Sequence, residues 1–212
     1  ALLPLFLMPK RWAVFAPILW ARSVDFLLRL IPIKFHITGD MHLESQVIYA
    51  IKHQSAWETL ILYWQLNKPV FVLKKELLAI PIVGWFMQRT GAIAVDRSAG
   101  MRALKDMQQK AMQAKADGNS VVIFPQGTRV SPDASQPYQI GVYSLYKAMD
   151  IPVIPVALDS GRYWPNKGLK KKPGTIDVVF LPPIEIGLSR KEFMLTLEQA
   201  IETQCKQLMQ KD

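Results

Sequence analysis

Gln46-Val47-Ile48-Tyr49-Ala50-Ile51-Lys52-His53-Gln54-Ser55-Ala56-Trp57-Glu58-Thr59-Leu60 changes character part-way along. Residues 46–51 form a strand-like run, and an apolar helical pattern begins at Trp57. A strand therefore hands over to a helix through a turn that carries His53, with an acid five positions later. On a regular helix those two side chains would point about 140° apart. They meet only if His53 lies in the turn and Glu58 in the first turns of the helix. In that geometry the carboxylate holds one imidazole nitrogen and leaves the other free to take a proton. Ser55-Ala56-Trp57-Glu58 also fits a capping box, in which Ser caps the helix and the acid reaches back. Spacing alone does not separate the two readings.

The same alternation of strand and helix runs outward in both directions. Ile33 to Thr38 alternates and is ended by Gly39-Asp40. Residues 69–73, 91–97, 121–124, 151–158 and 176–181 read as further strands. Between them lie helical patterns at 57–66, from Ser98 as N-cap to Gly118, and at 144–149. The last segment places Phe193, Leu197, Ile201, Cys205 and Leu208 on one helical face. The spacing predicts a single α/β domain over 33–212, with a largely parallel or mixed central sheet flanked by helices.

The 212 residues suffice for one sizeable core, and half of them are hydrophobic. Lys and Arg number 26 against 17 Asp and Glu, a formal charge of +9. That balance favours an anionic partner such as phospholipid headgroups, a phosphorylated substrate, an acidic carrier or nucleic acid. The basic residues are spread, with no aromatic-basic recognition motif, so nucleic acid is not expected. One Cys excludes an internal disulfide, and Cys205 reads as a small core residue. His36, His42 and His53 lack ligand-like spacing, so no metal is expected.

Residues 1–32 read as a separate membrane-contacting region. Two apolar runs, 2–9 and 12–21, flank Lys10-Arg11 and are shorter than the roughly 18–20 residues that span a bilayer. Arg22, Asp25 and Arg29 recur about one helical turn apart, and Trp12 and Trp20 are interfacial residue types. The expectation is an N-terminal amphipathic helical segment on an anionic phospholipid membrane, monotopic or peripheral at the cytoplasmic face. In a bacterium that would be the inner membrane. Lys170-Lys171-Lys172 forms a basic loop of similar tendency.

Three strand ends carry further polar groups. Lys74-Lys75 follows the strand at 69–73, and Asp96-Arg97 closes the one at 91–97. Phe124-Pro125-Gln126-Gly127-Thr128-Arg129 follows the strand at 121–124 with Pro and Gly in a sharp loop. Thr128 offers a hydroxyl and Arg129 a planar fork of donors, groups that grip phosphate oxygens. In isolation the loop reads more readily as a plain turn with one exposed Arg.

Four blocks in this order, His53 to Glu58, Gly91 to Arg97, Phe124 to Arg129 and Val153 to Ala157, resemble the lysophosphatidic acid acyltransferase family (the PlsC-type glycerolipid acyltransferases). The resemblance implies acyl transfer from acyl-CoA or acyl carrier protein to the free hydroxyl of lysophosphatidic acid, giving phosphatidic acid, with no cofactor. It implies His53 as general base and Glu58 as its orienting acid. Arg129, Thr128, Gly127 and Arg97 would bind the acceptor phosphate, with Gln126, Lys74 and Lys75 as weaker candidates. The family pattern has Asp where Glu58 stands and Glu where Gln126 stands, so the imidazole's orientation and any role for a carboxylate at 126 are open. Alternatives are the same chemistry on a lyso-ornithine lipid, glycerol 3-phosphate or another lysophospholipid, or a non-catalytic membrane-surface lipid-binding module.

Overall fold

The structure, a computed structural model, describes residues 32–66, 69–80, 83–166 and 171–210. Residues 1–31 of the expected membrane-contacting segment and Lys170 of the Lys170-Lys171-Lys172 run lie outside the described residues. Strands β1 (Ile33–Thr38), β2 (Ile48–Ile51), β3 (Val70–Lys74), β4 (Ile93–Val95), β5 (Val121–Ile123), β6 (Val153–Leu158) and β7 (Gly174–Phe180) form one sheet in the order β1-β7-β6-β2-β5-β3-β4. Helices α1 (Trp57–Gln65), α2 (Val83–Arg89), α3 (Met101–Ala116), α4 (Gly141–Met149), α5 (Ser160–Tyr163) and α6 (Arg190–Met209) connect and cover it.

The sheet is mixed. β6, β2, β5, β3 and β4 run parallel to one another. β7 lies antiparallel to β6, and β1 runs parallel to β7. The start of β1 therefore stands at the end of the sheet where the five parallel strands finish. β6 carries Pro155 in the middle of the sheet, where its missing N–H would normally break a ladder. The register against the following segment slips by one residue between Val153↔Ile184 and Val156↔Phe180, which accommodates it.

Parallel strands are covered on both faces and so read as near-continuous apolar runs. In β2, Ile48 and Ala50 pack on one side with Met107, Leu145, Phe193 and Ile201 from α3, α4 and α6. Tyr49 and Ile51 pack on the other side with Trp57, Ile61 and Leu62 from α1. Strand alternation divides the core, and the period of each helix decides which stripe it contributes. The five residues expected on one face of α6 are its five buried residues.

One local reading changes. Ser98 does not cap α3. Asp96 accepts from the Ser98 N–H and hydroxyl, which winds residues 97–99 into a short 3₁₀ turn, and Gly100 precedes the helix. After β3 the chain winds into a 3₁₀ turn at Lys75–Ala79 and then α2, with Leu77 and Ile80 exposed.

Gly39, which turns the chain out of β1, has φ +85°, and a Cβ there would lie 2.0 Å from the Phe180 carbonyl oxygen. Gly39→Ala is expected to cost about 2–3 kcal/mol through strain and overlap. Thermal unfolding followed by circular dichroism should show the midpoint lowered by about 5–10 °C.

Candidate active site

All the polar blocks singled out above sit where the five parallel strands end, the edge at which open α/β sheets collect ligands. His53 lies in the turn two residues past β2, and Glu58 is the second residue of α1. Their side chains meet, with Nδ1 of His53 2.9 Å from Oε1 of Glu58. The Glu58 carboxylate is fully buried and receives four further donors. The main-chain N–H groups of Gln54 and Ser55 donate to Oε1, each at 2.7 Å. The hydroxyls of Ser55 and Ser160 donate to Oε2 at 2.8 and 2.9 Å.

Burial alone would raise the pKa of Glu58. The hydrogen bond and charge of His53 and the Ser55 N–H outweigh it, so the acid is held below its ordinary value. An ionised carboxylate only accepts, so Nδ1 carries the proton toward Glu58 and Nε2 is left with its lone pair. The His53 side chain is 15% exposed and opens to solvent.

The orienting reading of Glu58 holds, and the capping box holds only in half: the N-cap of α1 is Ala56, with no side-chain cap bond. The acid reaches back to the Ser55 N–H, as in a capping box, and the Ser55 hydroxyl accepts from the Trp57 N–H at 2.9 Å. The same carboxylate that stabilises the start of α1 also orients the imidazole. The extra methylene of Glu over Asp does not prevent the contact.

The loop after β5 grips His53 on three sides. Phe124 stacks on the imidazole, ring centroids 3.8 Å apart at 16°. The Gln126 Oε1 accepts the His53 N–H at 3.1 Å, and the Val130 N–H donates to the His53 carbonyl at 2.8 Å. Gln126 is buried, and its Nε2 is left without a partner among the described residues. Accepting an N–H requires only an oxygen, which an amide or a carboxylate supplies equally. The amide adds a donor with nothing to bond, at a cost of about 1–3 kcal/mol.

Gly127 suits its backbone conformation. Its φ is +70°, and a Cβ would meet the Arg97 guanidinium at 2.7 Å. Arg97 donates through Nη2 to the Gly127 carbonyl, so it is docked on the loop as well as presented at the edge. Thr128 and Arg129 are exposed, and the Arg129 guanidinium makes no hydrogen bond or ion pair among the described residues. Lys74 is exposed at the end of β3, while Lys75 pairs with Asp96 at 3.2 Å.

Sequence reasoning missed Ser160, Gln54 and Lys52. Ser160 follows β6, the neighbour of β2, so its place at a parallel strand end was the available signal. Gln54 Oε1 accepts the Gly161 N–H at 2.9 Å, which joins the His53 turn to α5. Lys52 is buried with its ammonium on both oxygens of Glu202, at 2.6 and 2.7 Å.

The chain is similar to known proteins over most of its length. A family model described as Acyltransferase matches residues 32–159. A 1-acyl-sn-glycerol-3-phosphate acyltransferase of Pseudomonas aeruginosa is 33% identical over 192 residues, covering 90% of this chain and 75% of that protein. The enzyme of the same name from Limnanthes douglasii is 29% identical over 156 residues, 73% of this chain and 55% of its own length. The crystal structure of the 1-acyl-sn-glycerophosphate (LPA) acyltransferase PlsC from Thermotoga maritima shares the fold with a TM-score of 0.74. It is 20% identical, and the match covers 100% of this chain and 88% of that one.

Asp159, between β6 and Ser160, is a buried carboxyl that the dyad does not use directly. Burial pushes it up to about 6 from 3.8, against the Asp177 N–H and the Arg162 guanidinium. An acid whose folded pKa lies above its unfolded one loses stability as pH rises through that interval. Asp159→Asn keeps an oxygen for the Asp177 N–H. It is expected to raise stability at neutral pH and to leave it nearly unchanged below about pH 4. Urea unfolding at a series of pH values should show the gap opening between about pH 4 and 6.

Proposed function

Because the chain belongs to the acyltransferase family, we propose that it transfers a fatty acyl group from a thioester to the free hydroxyl of lysophosphatidic acid. The product is phosphatidic acid, a precursor in phospholipid synthesis. The observation that carries this reading is the hydrogen bond from His53 to the buried Glu58 at the edge where the Arg129 loop also ends.

In the proposed reaction the acceptor hydroxyl gives its proton to Nε2 of His53 as its oxygen attacks the thioester carbonyl. The C–O bond forms, the C–S bond breaks, and the proton passes from the imidazolium to the departing thiolate. Glu58 fixes the ring and offsets its positive charge while the proton is held. The thioester is already activated, so no enzyme nucleophile is required. Cys205 is unsuited to that part: it is buried, bonded to the Leu158 carbonyl, and its thiol is pushed up to about 11 by burial.

Arg129, with Thr128 and Arg97 beside it, would bind the acceptor phosphate, and exposed Lys74 would add positive field. The donor is acyl-CoA or acyl carrier protein, whose phosphates or acidic surface suit a chain of formal charge +9. We assign the enzyme to the cytoplasmic face of an anionic phospholipid membrane. The basic balance and the composition of residues 1–32 support that place. Among the described residues no helix is long and apolar enough to cross a membrane.

Assay of the full chain with acyl-CoA and lysophosphatidic acid tests the base. His53→Ala is expected to lower kcat/KM by at least about a hundredfold. Parent-like activity would remove His53 from the reaction. Thin-layer separation of products from lysophosphatidic acid, a lyso-ornithine lipid and glycerol 3-phosphate decides among acceptors.

Arg129→Ala should raise the KM for the phosphate-bearing acceptor by about ten- to a hundredfold, the value of a charge-assisted hydrogen bond. Its kcat should change less. Steady-state kinetics with acceptor as the varied substrate checks this, and an unchanged KM would place the phosphate elsewhere.

A further inference from the structure

Three residues of α6, Glu202, Cys205 and Leu208, tie the helix to the catalytic edge of the sheet. Lys52, the residue before His53, reaches Glu202 with both carboxylate oxygens engaged at 2.6 and 2.7 Å. Tyr138 donates its hydroxyl to the same Oε1 at 2.8 Å. One turn further along α6, the Cys205 thiol lies 3.5 Å from the carbonyl of Leu158, the last residue of β6. At the end of α6, the Leu208 carbonyl accepts from Nη1 of Arg162 at 3.2 Å. Arg162 belongs to α5, the short helix that begins with Ser160, a donor to Glu58.

The bonds are placed where the strand ladder stops helping. β2 ends at Ile51, and the main chain of Lys52 makes the last regular bond, to the Val156 carbonyl at 2.9 Å. Beyond it the His53 turn is bonded to the loop after β5 rather than to a strand ladder. Side chains in an extended run alternate between faces, so Lys52 points into the α6 layer while His53 points toward Phe124. A buried ammonium held by two carboxylate oxygens cannot shift without leaving a charge unpaired. It fixes the residue next to the imidazole.

We propose that α6 is a positioning strut for the His53–Glu58 dyad, with the Lys52–Glu202 pair as its principal tie. The strut lies beyond residue 159, where the family match ends. Lys52, Glu202 and Tyr138 are positioning residues, since none of them reaches the reacting atoms. The kinetic consequence rests on the acyl-transfer reading given above, whereas the effect on the ring does not.

The test is the triple variant Lys52→Met, Tyr138→Phe and Glu202→Leu in the full chain. It removes the buried polar partners together, so none is left unsatisfied, and such replacement of an ion pair is often neutral for stability. Its unfolding midpoint should stay within about 3 °C of the parent. Labelling the three histidines with ¹⁵N gives a direct view of the ring, and His53→Ala identifies its signals. The parent should show His53 protonated at Nδ1 and bonded to Glu58. In the triple variant that signal should move or broaden, and kcat per folded molecule should fall about ten- to a hundredfold with acceptor KM held within about twofold.

Parent-like ring signals and parent-like kcat in the folded variant would overturn the strut. Should the triple variant fail to fold, Glu202→Asp, one methylene shorter, is read in the same way. Parent-like ring signals and kcat there overturn the proposal equally. A displaced ring signal alongside a parent protein that transfers no acyl group supports the strut and counts against the proposed reaction instead.

Discussion

A carboxylate with no access to water stands at the centre of this molecule. Glu58 is tolerated there because every lone-pair direction is met: two main-chain N–H groups, two hydroxyls and an imidazole converge on it. Bringing a charge out of water without such partners costs several kcal/mol or forces the group to neutralise. The donors come from the β2–α1 turn and, through Ser160, from the end of β6. The site therefore exists only when both strand ends are in register. The β2–β6 pairing, Ile48↔Val153 through Ile51↔Val156, supplies that register.

The sheet order explains why residues far apart in sequence share an edge. β2 is flanked by β5 and β6, so the His53 turn lies between the Arg129 loop and Ser160. One bond to the Gln126 side chain, one from the Val130 main chain and a ring stack join the loop to His53, so the proposed base and the loop that carries the proposed phosphate contacts are held together. Burial on both faces of β2 leaves little freedom for that edge to shift.

Much of this was legible in the residues themselves. The strand-turn-helix at 46–66 and the apolar face of α6 follow from periods of two and 3.6, which local sequence carries openly. The His53–Glu58 contact was readable once the turn was placed. Ser160, Gln54 and the Lys52–Glu202 pair were not, because their meaning depends on which strands lie side by side. Strand order is a tertiary fact that a single sequence does not display. Lys52 misleads in a second way: a lysine next to a strand end ordinarily faces water, and only the arrival of α6 makes it an interior residue. Ser98 failed as a cap for a local reason: its N–H and hydroxyl both turn back to Asp96 two residues earlier, so the hydroxyl is not aimed at the first N–H groups of α3.

The reversed pair β7 and β1 has a topographical consequence. Because β1 runs against the five parallel strands, the polypeptide joins the sheet at Ile33 on the rim that bears His53. Three interstrand steps separate β1 from β2, about 15 Å along that rim. The membrane contact proposed for residues 1–32 would thus precede the sheet on the same rim as the proposed base, rather than on the opposite one.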